Sequence, residues 1–305
     1  MALGIALGLA GASQAADGTA ESSRPGQFRI DANVVLINAT VLGAHDRPVL
    51  GLTRDRFRVF EDNSEQNIAY FSQEDVPLSL AVVFDASGSM EGKLPAMRAA
   101  LGEILANGNP ADEVALITFS DQPQVAMGWT SNPGEIQNRL LDFSAHGETS
   151  LLDAIQTGLA CMKHAKNARR AMLILSDGGD NHSRSSERQI LHSLEEADVQ
   201  IYAIDSTESW SLRTRAPEEL MGPDLLERIS DRAGGRYFQA DSRRELNDAA
   251  EQISRELRSQ YVIGYVPPNG ANDGRFRHVR VQVKRDSGAP KLNVFWRKGY
   301  RVSNE

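Results

Sequence analysis

Four short runs in the chain are almost unbroken in apolar residues: LSLAVVF (78–84), VALITF (114–119), AMLILS (171–176) and VQIYAI (199–204). Each is short for a helix and rich in aliphatic or β-branched side chains, so each predicts a strand covered on both faces. Between and after them, apolar positions recur at helical spacing near 93–106, 150–165, 185–197, 219–233 and 243–258. In the last of these, Leu246, Ala249, Ile253 and Leu257 stand among alternating charges, which predicts a surface helix packed on its own sheet. Strands alternating with amphipathic helices predict an α/β fold, a doubly wound and mostly parallel sheet with helices on both faces.

The flanks have a different texture. FRIDANVVLINATVLG (28–43), FRVFED (57–62) and NIAYFSQE (67–74) read as strands, joined by turn formers, and no helical period precedes residue 90. Strands return after Gln260 as YVIGYVPP, FRHVRVQVKR and KLNVFWRKGYRV, the last two predicting a hairpin. Either flank alone buries too little apolar surface to hold itself folded. The economical expectation is one small all-β, sandwich-like domain, its first part at 28–77 and its second at 259–305, with the α/β domain at 78–258 inserted between them.

Composition narrows the class. The chain has 305 residues, 41% hydrophobic and 24% charged, the balance of a folded soluble protein. Its formal charge of -8 disfavours phosphate-backbone binding, so nucleic acid is not an expected partner. An apolar stretch from Ala2 to Ala10 followed by Ser13-Gln14-Ala15 predicts a signal peptide over residues 1–16. No Lys or Arg precedes that stretch, so a leader with a truncated start and a plain apolar N-terminus both remain open. Residues 17–27 read as a flexible lead-in. Cys161 is the only cysteine, expected as a small buried hydrophobe on a helix. A leader without a cysteine framework points to a bacterial periplasm or exterior, and no later segment reaches transmembrane length.

The candidate chemistry lies where the first apolar strand stops. In LAVVFDASGSM the strand runs into Asp85, Ser87 and Ser89 at alternate positions, with Gly88 between the serines. Residues at that spacing can face one way, presenting one carboxylate and two hydroxyls to a common point. In doubly wound sheets function gathers outside the carboxyl ends of strands. Two further pieces occur at such places: HGETSLLDAI supplies Thr149 at the mouth of a helix, and LILSDGGDN supplies Asp177 directly after a strand. Oxygen donors without His or Cys suit a hard cation such as Mg²⁺.

DASGS, GETSLLDAI and LSDGGD together resemble the three parts of the metal-ion-dependent adhesion site of von Willebrand factor type A domains, over about Leu78 to Leu257. The resemblance implies that Ser87, Ser89 and Thr149 are hydroxyl ligands, Thr149 directly or through water. It implies that Asp85 and Asp177 act directly or through water on Mg²⁺ or Mn²⁺. It also implies an open coordination position filled by an Asp or Glu of a partner protein. RPVLGLTRDRFRVFEDNSEQNIAYFSQED and the YVIGY segment are similar to a bacterial family of exported proteins with such a domain. The function expected is therefore a cation-dependent, adhesion-type protein-binding module and not an enzyme. Its alternatives are a metal-dependent phosphoester hydrolase and a structural scaffold whose metal engages no ligand.

Other residues carry weaker signals. Trp210, Arg213 and Arg215 follow the strand ending at Ile204 and are candidates for the rim of the ligand site. Asp153 and Asp180 stand close in sequence to site residues, either as groups bonding the ligands or as ordinary surface carboxylates. His146 and Ser150 lie four residues apart on one loop–helix junction, which does not make a hydrolase triad. His164, His182 and His192 lack zinc spacing.

Overall fold

The computed structural model describes residues 34–206, 221–267, 274–285, 288 and 290–301. The four apolar runs are strands of one six-stranded sheet: β5 (Leu78–Asp85), β6 (Glu113–Phe119), β8 (Arg169–Ser176) and β9 (Gln200–Asp205). Every residue of β5 is buried. Its alternation separates two cores: Leu80, Val82 and Phe84 pack into one, and Ala81 and Val83 into the other. The first face is covered by α1 (Leu94–Ala106), α2 (Pro133–Leu140) and α6 (Arg243–Arg258). The second is covered by α3 (Leu151–Met162), α4 (Glu187–Glu196) and α5 (Gly222–Ala233). Leu246, Ala249, Ile253 and Leu257 of α6 are buried against the sheet, as their spacing predicts.

With β7 (Pro123–Thr130) and β10 (Tyr237–Gln239), the strand order is β10-β9-β8-β5-β6-β7. All pairings are parallel except β7, which runs antiparallel to β6 at one edge. From β5 the chain steps outward to β6 and β7, then returns across the sheet to β8 on the other side of β5. The order therefore reverses between β5 and β8, and the crevice outside their carboxyl ends is a switch point. Asp85 ends β5, and Ser176 ends β8 with Asp177 next.

The remaining strands form two four-stranded sheets, β13-β1-β11-β4 and β14-β12-β2-β3. The first holds β1 (Val35–Leu42), β4 (Ile68–Ser72), β11 (Tyr261–Tyr265) and β13 (Asn293–Trp296). The second holds β2 (Phe57–Glu61), β3 (Ser64–Gln66), β12 (Phe276–Val283) and β14 (Gly299–Arg301). Strands from both ends of the chain pair directly, β1 with β11 and β2 with β12. Ile37, Val59, Tyr261, Ile263, Val279 and Val281 share one core between the two sheets.

Several details differ from the sequence expectation. The run 291–302 is not one hairpin strand: it splits, β13 pairing with β1 and only β14 pairing with β12. The split falls at Arg297 and Lys298, whose side chains reach Asp198 (3.4 Å) and Asp231 (3.1 Å) of the α/β domain. Strand β7 and helix α2 were not anticipated either. The burial of β7 is irregular along its length, with a register shift against β6, so it carries no clean period-two signal.

Candidate functional site

Asp85 continues the register of Ala81 and Val83, so the central strand delivers a carboxylate to its own buried end. Its side chain is 0% exposed. One oxygen accepts the Ser87 N–H at 2.8 Å, and the other accepts the Ser176 hydroxyl at 2.5 Å. Burial, then the negative charge of Asp177, pushes the Asp85 carboxyl up to about 6, against the opposing effect of those hydrogen bonds.

Beyond Asp85 the chain enters a short 3₁₀ turn at Gly88–Met90. This turn sets Ser87 Oγ 3.1 Å from Ser89 Oγ, and Ser89 Oγ donates to Asp177 Oδ1 at 3.1 Å. The second oxygen of Asp177 accepts from Lys93 Nζ at 2.9 Å. Ser87 and Asp177 are buried and Ser89 is exposed, so the cluster opens to solvent on the serine side.

The third segment is fastened to the other two through its backbone. His146 N–H donates to Ala86 O (2.9 Å), and Gly88 N–H donates to Gly147 O (3.0 Å). Gly147 has φ 75, and a Cβ there would lie 2.6 Å from the Asp121 carboxylate, so this turn requires glycine. Asp121 in turn accepts the Glu148 N–H at 2.7 Å. Thr149, 5% exposed, donates its N–H to Asn181 Oδ1 (2.9 Å), while its carbonyl accepts the N–H groups of Asn181 and His182 (3.1 Å each). Asp153 and Asp180 belong to the same fastening. Asp153 accepts the N–H groups of Arg184 (3.0 Å) and Ser185 (2.8 Å), and Asp180 accepts from Ser183 (2.6 Å). Helix α5 closes the far side: a side chain at Gly222 would overlap the Gly178 carbonyl.

Thus Asp85, Ser87, Ser89 and Asp177 join one hydrogen-bonded cluster, while Thr149 bonds Asn181 and His182 through its main chain, two residues after the Gly147 carbonyl that takes the Gly88 N–H. Ser176, Lys93 and Asn181 are additions that the sequence reading did not contain. His146 is exposed, and Cys161 is half-buried on α3. Trp210, Arg213 and Arg215 lie outside the described residues, as do residues 1–27 with the expected leader.

The donor set tests the metal expectation chemically. Its contributors are hydroxyl and carboxylate oxygens, and Asp85 is raised first by burial and then by the negative charge of Asp177. A hard dication fits both features. Among the described residues no group of three or more His, Cys, Asp or Glu side chains could hold a metal.

Comparison with known proteins bears on the same stretch. Residues 80–179 match the von Willebrand factor type A domain family. That type A match takes in Asp85, Ser87, Ser89, Thr149 and Asp177. An uncharacterized protein of Borreliella burgdorferi is 23% identical over 160 residues, 48% of this chain and 47% of its own length. The chain therefore spans about half the length of the curated relative it matches. Among solved structures, it is similar to the PilB minor pilin from Streptococcus sanguinis (13% identity, TM-score 0.49, 61% of this chain and 62% of that one). The vWF domain of the type V pili tip protein Mfa5 from Porphyromonas gingivalis gives 10% identity, TM-score 0.46, and 59% and 95% coverage. The conserved hypothetical protein BatB from Bacteroides thetaiotaomicron gives 16%, 0.46, and 60% and 100%. No helix among the described residues is long and apolar enough to cross a membrane.

Proposed function

We propose that this chain is a protein-binding module whose affinity depends on a divalent cation, Mg²⁺ or Mn²⁺, at the carboxyl ends of β5 and β8. The observation that carries the reading is the linked oxygen cluster, Ser87 Oγ to Ser89 Oγ to Asp177 Oδ1 at 3.1 Å each. Ser87, Ser89 and Thr149 would hold the ion through hydroxyls, and Asp85 and Asp177 through carboxylate oxygens or intervening water. When bound, the cation supplies Lewis acidity toward an Asp or Glu carboxylate of the partner. The chain's part is to limit its own charge at the site: three neutral donors and two carboxylates bring no negative charge beyond that of the dication, so the ion stays electrophilic toward a further carboxylate. Ser176 and the Ser87 N–H fix the Asp85 carboxylate from two sides, so its orientation is set before any ion arrives. The type A match, which spans all five residues, supports the same assignment.

In this reading residues 78–258 form the binding domain and the flanking β strands carry it. The apolar stretch Ala2–Ala10 directs export to a bacterial periplasm or exterior. The test begins with calorimetric titration of MgCl₂ and MnCl₂ into the wild type and Asp85→Ala, with circular dichroism as the folding control. Heat is expected from the wild type alone. Capture from envelope or extracellular material should then require Mg²⁺ and fail in EDTA or with Asp85→Ala. Silence in both titrations refutes the metal site. Capture that persists in EDTA would instead favour a scaffold, and phosphoester turnover lost in Asp85→Ala would favour a hydrolase.

A further inference from the structure

The feature that the proposed function does not absorb is Lys93. It sits at the N-cap of α1, immediately after Gly92, whose φ of 80 turns the chain out of the Gly88–Met90 turn. From there its ammonium reaches back 2.9 Å to Asp177 Oδ2, across 84 positions of sequence. The side chain is only 19% exposed and its partner 1%, so this pair is partly withdrawn from water, where charge interactions are screened least. Asp177 is therefore divided: Oδ1 belongs to the serine cluster and Oδ2 to a fixed cation of the protein's own.

We propose that Lys93 is a built-in counter-ion that lowers the divalent-cation affinity of this site and so leaves a bound ion with more positive charge for a partner's carboxylate. The inference rests on the metal-site reading and deepens it. A lysine ammonium and a dication that share one carboxylate repel each other, and each diminishes what the other gains from it. Two carboxylates with no such neighbour would hold the metal more tightly and neutralise it more completely. With Lys93 on Asp177, part of that carboxylate's charge is already answered, and the partner's acid supplies what is missing. Lys93 thereby shifts affinity from the metal toward the ligand.

The alternative role for the same contact is positional: Lys93 would only orient Asp177, and its removal would weaken metal binding. The two roles predict opposite signs. The experiment is calorimetric titration of MgCl₂ into the full chain as wild type, Lys93→Gln, Lys93→Met and Lys93→Arg, with circular dichroism confirming the fold of each. Gln keeps a donor toward Asp177 without the charge, Met keeps neither, and Arg keeps both. Both neutral variants are expected to bind Mg²⁺ about tenfold more tightly than wild type, with Arg remaining within about twofold of wild type. Thermal melts read the same competition separately. In EDTA the neutral variants should melt below wild type, and in saturating Mg²⁺ that deficit should shrink or reverse. Folded neutral variants that bind Mg²⁺ as wild type does, or more weakly, overturn the counter-ion role while the metal site stands. No heat from any of the four proteins overturns the metal site and this inference together.

Discussion

Replacing Asp85 by Asn separates what the site costs from what it does. The native carboxyl moves from 3.8 to about 6 because it is buried and faces Asp177. A shift of that size corresponds to about 3 kcal/mol of folding stability lost when the group is ionised. The sign follows from proton counts. Between 3.8 and about 6 the folded chain holds a proton that the unfolded chain has released, so stability falls as pH rises through that window. The contribution is fully present below the unfolded value and gone above the folded one. Asn is nearly isosteric and uncharged. Its carbonyl can accept the Ser87 N–H, and its amide can face Ser176 Oγ, which also takes the Gly178 N–H at 3.1 Å. Weaker neutral hydrogen bonds offset part of the gain, leaving Asp85→Asn about 1–3 kcal/mol more stable than wild type at about pH 7.5 in EDTA. The assay is urea unfolding in EDTA at several values between about pH 4.5 and 7.5, where the gap should open as pH rises. Saturating Mg²⁺ should close or reverse the gap, since ligand at about 100 times its dissociation constant adds about 2.7 kcal/mol to the binding protein alone. A variant less stable than wild type at neutral pH, or a gap that ignores pH, would refute the argument that Asp85 is held under electrostatic strain.

Two other substitutions test the site loop at Gly147 and the buried ion pair at Arg236. Gly147→Ala forces a side chain into φ 75 and toward Asp121, which is itself held by Glu148 N–H; urea unfolding should show a loss of about 1–3 kcal/mol, and calorimetry a weaker Mg²⁺ interaction. Arg236→Met removes the guanidinium that bonds Glu256 at 2.5 Å and Asp46 at 2.8 Å, leaving the fully buried Glu256 uncompensated beside Gln252. Unfolding at neutral pH should show a cost of about 3–5 kcal/mol, most of it recovered in Arg236→Met with Glu256→Gln; an equal cost in the double variant would mean that packing, not charge, is at stake.

How much of this could be read from the sequence follows from where the determining contacts lie. Strands β5, β6, β8 and β9 are legible because burial on both faces erases polar residues, a signal contained within six to eight positions. The cluster is legible for the same reason: Asp85, Ser87 and Ser89 interrupt an apolar run abruptly, and Asp177 interrupts another. Edge strand β7 shifts register against β6 and buries no residue fully, so no period-two pattern survives in its sequence. The division of 291–302 into two strands is fixed by Arg297 and Lys298 meeting acids about 100 and 67 residues earlier, contacts that no local pattern records. Lys93 is hidden in the same way. In SMEGK it reads as a solvated helix-start lysine, and only the fold brings Asp177 to it.

The fastening of the three site segments has a consequence for any ion they hold. Ala86, Gly88, His146, Gly147, Thr149 and Asn181 are cross-bonded through main-chain groups, so the loops are ordered by folding itself. Binding then does not have to pay the conformational cost of gathering them, which is about 1–2 kcal/mol for each backbone residue fixed. What opposes an ion is electrostatic instead: displacing the proton that a raised Asp85 retains near pH 6, and sharing Asp177 with Lys93. A site limited by loop ordering would show affinity that responds to backbone substitutions such as Gly147→Ala and ignores neutral replacement of Lys93. A site limited by charge responds to both, but in opposite directions. The loops lower affinity when loosened, and the lysine raises it when removed. That difference in sign distinguishes a preorganised, charge-tuned cluster from one assembled by its metal.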